Sequence, residues 1–171
     1  MTRLWTADDL RNGASVEVVR MLRDSGCPEW EVADHAPDTD ADMIRHWQET
    51  GRIKVWAGAS EGVVYGEARH NWMYRAWHDW CHIASGVCNR RHGPLGCFEP
   101  SAERDVTAWQ VRTVGSSLFQ RVVLADTGGQ AIHFGMHGAF PEDQMRFTLD
   151  IVNGTGEHEV RQELAGLRRF R

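Results

Sequence analysis

The stretch from about Glu67 to Ser85, ended by Gly86, constrains the chain most, because it reads as one long helix around which the rest must pack. Helix signals lie on both sides of it. Thr6 caps a short helix that stops at Asn12-Gly13, and Ser15 caps a second from Val16 to Asp24, with Val16, Val19 and Leu22 on one face and Gly26 after it. Pro28 starts a short helix through Val32 and Ala33, broken by Pro37. Asp38 or Thr39 then caps a helix through Met43, Ile44 and Trp47 that stops at Gly51. Further on, Pro100 suits the first turn of a helix running to about Asp126 and interrupted at Gly128-Gly129. Phe140-Pro141 begins another through Met145, Phe147, Leu149 and Ile151, Asn153-Gly154 stops it, and a polar helix closes the chain.

Residues 52–66 depart from this pattern. The runs Arg52-Ile53-Lys54-Val55-Trp56 and Val63-Val64-Tyr65 are β-branched or aromatic, and small residues with two Gly separate them, which reads as a loop or short hairpin. The expected fold class is therefore all-α: a helical bundle with a short irregular or hairpin segment near residues 52–66. Residues 1–51 form an N-terminal helical module, and residues 52–171 a helical domain.

Three short helices with tight turns in residues 1–51 resemble a helix-turn-helix unit. The candidate recognition helix, however, carries Asp38, Asp40 and Asp42 against Arg45, and acidic residues repel phosphate. A three-helix packing module is the competing reading. The net charge of -5 gives no electrostatic reason to expect a nucleic-acid backbone as the main partner. The basic runs Arg90-Arg91-His92 and Arg168-Arg169-Phe170-Arg171 leave a local patch open. No apolar run approaches the ~20 residues of a membrane span, and Met1 to Trp5 contains no apolar signal core. The expectation is a cytoplasmic protein whose Cys27, Cys81, Cys88 and Cys97 are reduced thiols, in spacings unlike paired zinc knuckles.

The chemistry-bearing segment is Tyr74-Arg75-Ala76-Trp77-His78-Asp79-Trp80-Cys81-His82, inside the long helix. His78 and His82 are four apart, so they share a helix face and can share a metal ion. Asp79 lies one position around, as a fourth ligand or a base. Glu103, 21 residues after His82 in the first turn of the next long helix, faces the pair if the two helices are antiparallel neighbours; Gln110 follows two turns later. Two imidazoles with carboxylates suit a divalent metal such as zinc, manganese, iron or nickel. Arg75, one turn before His78, either meets an anionic substrate group or ties helices together through an ion pair with Glu103 or Asp79. His133 and His137 form a second pair four residues apart, either surface residues or ligands of a further metal. A structural alternative stands beside these readings: His78 and Asp79 as a hydrogen-bonded pair in an aromatic core with Trp72, Trp77 and Trp80.

Three resemblances bear on the site. The HDxxH pattern with a downstream Glu is similar to that of gluzincin metalloproteases, whose HExxH helix supplies two His and the base and whose third ligand is a later Glu; here Asp79 stands for the Glu. His78-Asp79 also resembles the doublet of the HD phosphohydrolases, which implies Asp126 as the late Asp and His46 as the first ligand, with His70 and His35 as rivals. The run Asn71 to Ile83, followed by Phe98, Glu103, Gln110, Gly129-Gln130 and Phe140-Pro141-Glu142-Asp143-Gln144, resembles a family of small uncharacterised bacteriophage proteins over about residues 55–150. That resemblance implies a phage or prophage origin and a role in the host cell, but supplies no catalytic residues.

The expected function is a metal-dependent hydrolase-like protein acting on a nucleotide or other phosphate ester. His78, Asp79, His82 and Glu103 are its metal ligands, and Asp79 and Arg75 its catalytic residues. The alternative is a non-enzymatic phage accessory protein that binds DNA or a host protein and uses the His cluster as a structural metal staple.

Overall fold

The computed structural model describes residues 4–89 and 99–167. The element order is α1 (Ala7–Asp24), β1 (Glu29–Ala33), α2 (Asp40–Thr50), β2 (Arg52–Trp56), α3 (Ala68–Ala84), a 3-10 turn (Val87–Asn89), α4 (Pro100–Thr113), α5 (Ser117–Val123), a π-helical turn (Leu124–Gly129), α6 (Gln130–His137), α7 (Gln144–Asn153) and α8 (His158–Leu167). The fold is mainly α, with a two-stranded parallel sheet. No helix among the described residues is long and apolar enough to cross a membrane.

The first 56 residues differ from expectation in three ways. α1 runs unbroken through Asn12-Gly13, opened by a capping box in which Thr6 and Asp9 exchange side-chain and backbone hydrogen bonds. Gly13 admits a neighbour here: a Cβ would lie 2.8 Å from Leu118 Cδ2 of α5. Residues 29–33 are a strand, because Trp30 and Val32 pair with Ile53 and Val55, the β-branched and aromatic set that suits a pleated, half-buried surface. β2 is then the parallel partner of β1 across α2, so the order helix–strand–helix–strand replaces both the three-helix unit and the hairpin. This pairing also joins residues on either side of the expected boundary at 51/52. Val63, Val64 and Tyr65 are buried core residues outside any strand, and the Tyr65 carbonyl accepts a hydrogen bond from Ser15 Oγ.

α3 matches the expected long helix within a residue at each end, and it is buried on three sides. Tyr74, Trp77 and Cys81 enter the main core with Leu10 and Val18 of α1, Val106 of α4, and Phe119 and Val122 of α5. Ala76 meets Ile53 and Val55 of the sheet, with Trp30, Trp47, Trp72 and Trp80 packed around them. Most of the tryptophans thus fill the core or seal the sheet onto α3. The third side of α3 carries His78 and His82 toward α4.

The helix expected from Pro100 to about Asp126 is two. α4 ends at Thr113, and Gln120 Nε2 donates to the Val114 carbonyl in the linker. From Ser117 to His137 the chain then runs helically through Gly128-Gly129, which widens into the π-helical turn instead of interrupting. α8 closes a smaller cluster of Leu124, Ile132, Val160, Leu164 and Leu167. No disulfide joins Cys27, Cys81 or Cys88; Cys97, Phe98, Arg90-Arg91-His92 and the Arg168 to Arg171 tail lie outside the described residues.

Candidate metal centre

Helix geometry puts His78 and His82 one above the other on α3, and Pro100 starts α4 so that Glu103 falls in its first turn. A carboxylate there also complements the helix dipole. The three side chains meet at one point. His78 Nε2 lies 3.1 Å from Glu103 Oε2, His82 Nε2 lies 3.3 Å from Glu103 Oε1, and the two Nε2 atoms are 3.0 Å apart. Metal–ligand bonds of about 2.0–2.2 Å at tetrahedral angles place neighbouring ligand atoms about 3.3 Å apart. The observed separations are close to that edge; the two Nε2 atoms are also at hydrogen-bonding distance of each other, while Glu103 Oε2 is buried and has no hydrogen bond of acceptable geometry. The donor set itself, two imidazoles and one carboxylate, is that of catalytic zinc sites with an open fourth position.

The surroundings orient these groups. His82 is fully buried, and the Cys88 thiol is among the groups that raise its pKa. The Gln110 amide lies 3.2 Å from His78 Nδ1, and Gln110 Oε1 is buried without a hydrogen bond. Turning that amide over lets Oε1 accept from Nδ1–H, the tautomer that frees Nε2 for a metal. Gln110 falls on the same face as the His pair, as its spacing from Glu103 indicates.

Without metal the cluster holds a proton. Burial works against a charged His82, but the Glu103 carboxylate outweighs it and raises the imidazole pKa to about 10. Burial likewise opposes the Glu103 charge, and His78 and His82 overcome it, holding the carboxyl well below the usual carboxylate range.

The other expected site residues fall elsewhere. Asp79 is not among the converging ligands; burial raises its carboxyl to about pKa 6, against the pull of His78 and His82. Arg75 makes no ion pair with Glu103 or Asp79. Its guanidinium donates to the carbonyls of Trp56 (2.7 Å), Gly58 (2.6 Å) and Ala59 (2.9 Å) and lies over the Trp56 ring, which latches residues 57–59 onto α3. His46 sits by Glu31 at the sheet, and His35 and His70 do not join the cluster. Asp126, in the π-helical turn, accepts hydrogen bonds from Tyr65 (2.8 Å), Gln130 (2.8 Å) and Thr148 (3.4 Å). The four-part HD constellation is therefore not assembled around one point.

His78 and Glu103 form part of the wall of a cleft of about 540 Å³, whose other walls include Trp56, Tyr74, Arg75, Asp126, Thr127, Gln130, Phe134 and Phe140. His82 lies beneath. Clefts of this size and mixed lining are ordinary small-molecule sites, and π-helical turns recur at functional sites. Here the wide turn brings Asp126 and Thr127 to the cleft, with the Thr127 hydroxyl hydrogen-bonded to Tyr74.

One converging residue escaped the sequence reading. Glu157 meets His133 and His137 in a second His–His–Glu group. The signal was available: Glu157 follows His137 by 20 residues, much as Glu103 follows His82 by 21. Comparison with protein-family models, curated proteins and solved structures finds no match to the chain.

Proposed function

We propose that His78, His82 and Glu103 bind a divalent transition metal and that the chain is a metal-dependent hydrolase whose substrate occupies the adjoining cleft. The observation that carries this reading is the convergence of three side chains, whose nearest ligand atoms lie 3.0 to 3.3 Å apart, at the wall of a cleft. When bound, the metal supplies Lewis acidity that activates water near neutral pH. Zinc, manganese and iron are the proposed candidates.

The favoured substrate remains a nucleotide or other phosphate ester. Trp56, Tyr74, Phe134 and Phe140 offer aromatic surface for its apolar part. Arg75 is the only Lys or Arg among the described lining residues, and its guanidinium is committed to three carbonyls. A bound metal would then supply the positive charge for the anionic group, with Arg75 shaping the rim. Asp126 lines the cleft and Asp79 does not, so Asp126 is the better-placed proton acceptor.

The test is a panel of nucleotides and phosphate esters with Zn²⁺ or Mn²⁺. Glu103→Gln should abolish turnover together with metal binding at this centre. Asp126→Asn should lower turnover by about 10²–10⁴-fold, the usual contribution of a general base, with metal binding intact. Turnover lost in Asp79→Asn and kept in Asp126→Asn would return the base role to Asp79.

A second reading has its own observation. His82 is fully buried and the three ligands tie α3 to α4, as in a structural metal staple of a non-enzymatic accessory protein that binds DNA or a host protein. In that case the panel gives no turnover, and Glu103→Gln mainly lowers the melting temperature.

A further inference from the structure

We infer that His133, His137 and Glu157 form a second, separate transition-metal site, which clips α6 to the start of α8. The pair sits four residues apart on α6, with ring centroids 4.4 Å apart, close to the 4.6 Å of His78 and His82. Glu157 divides its carboxylate between them: Oε1 lies 2.9 Å from His133 Nδ1 and Oε2 lies 3.5 Å from His137 Nε2. Glu103 divides its oxygens between His78 and His82 in the same way. His133 Nδ1 is buried and, despite the short approach, has no hydrogen bond of acceptable geometry. One ligand atom from each of the three residues lies within 4.8 Å of the other two.

Its setting differs from that of the first site. His137 is about half exposed and Glu157 partly exposed, so water can complete the coordination shell and the metal can exchange with solvent. Two imidazoles and a carboxylate select a borderline ion such as Zn²⁺, Co²⁺ or Ni²⁺ over Mg²⁺ or Ca²⁺. The site also has a mechanical consequence. Gln130, Phe134 and Phe140 face the cleft from α6 and the turn after it, while His133 packs edge-on against Phe147 of α7. A metal on Glu157 therefore pins the helix that forms one cleft wall to the α7–α8 connection.

The inference does not need the first site to be filled, and the test separates the two. Tag-free, chelator-stripped protein is titrated with Zn²⁺ and Co²⁺, alongside His137→Ala, Glu157→Gln and Glu103→Gln. Wild type is expected to take two equivalents, the second more weakly. His137→Ala and Glu157→Gln should each lose the weaker equivalent, and Glu103→Gln should keep it. Amide exchange in residues 154–163 should slow by about tenfold at free Zn²⁺ near ten times Kd, and only in proteins with Glu157 and His137 intact. One equivalent lost in His137→Ala and kept in Glu103→Gln would support this site and sink the first. Binding of no metal, or binding unaffected by both His137→Ala and Glu157→Gln, would overturn the inference.

Discussion

At the scale of single residues, the centre is legible because helix periodicity fixes which side chains coincide. His78 and His82 were readable from their spacing, and Glu103 from its place in a Pro-started helix. The role of Arg75 was not, because three carbonyls of residues 56–59 become its partners only once that segment folds back on α3. Gln110 supports a sharp expectation. Gln110→Leu should weaken metal binding by about 10–100-fold, the usual effect of losing the partner behind a ligating His, as read by competition titration. The proton held by the empty site gives a second. In chelated protein, the raised His82 pKa contributes stability that is full below its ordinary 6.5 and is lost as pH rises through about 10. The depressed Glu103 pKa contributes stability that is full above its ordinary 4.5 and is lost as pH falls through its folded value. The metal-free melting temperature should therefore favour pH 4.5–6.5 and fall toward pH 9, once other groups are subtracted with Glu103→Gln. With metal the fall above pH 6.5 should disappear, and stability should instead rise as pH climbs to about 6.5, because coordination needs neutral imidazole.

At the scale of elements, local signals succeeded where an element's ends carry their own stops, as in α3 before Gly86 and α2 between Thr39 and Gly51. They failed where distant partners decide. β1 is a strand because β2, more than twenty residues on, completes it, and nothing near Pro28 announces that partner. Gly13 and Gly128 read as breaks, yet each marks a close approach inside a continuous helix. At Gly128 a Cβ would sit 2.9 Å from Thr107 Cγ2 and 3.2 Å from Leu164 Cδ2, where α4 and α8 close on the π-helical turn. Gly128→Ala should thus destabilise the fold by about 1–3 kcal/mol through overpacking, measured by urea denaturation. It should also perturb the cleft more than its distance from the ligands suggests, because Asp126 and Thr127 belong to the same turn.

At the scale of the whole molecule, α3 is the pivot. It carries the sheet on one side, the main core on a second and the candidate metal ligands on a third, so a metal bound between α3 and α4 would be linked to global stability. Binding to the folded state alone adds about 2.7 kcal/mol at a hundredfold excess over Kd. Chelation should accordingly lower the melting temperature of wild type well beyond that of Glu103→Gln, in a calorimetric comparison. The mainly helical class was readable because most of the chain is built from locally capped helices. The cleft was not, since it arises from how residues of 56–75, α4 and the π-helical turn meet in space.

The most direct measurement is anomalous diffraction at the zinc edge from crystals of the zinc-loaded protein. The expected result is a peak about 2.0–2.2 Å from His78 Nε2, His82 Nε2 and a Glu103 oxygen, with its remaining position open to the cleft. Crystals in which those three side chains still converge but no peak lies between them would contradict the metal centre, and with it the proposed hydrolase.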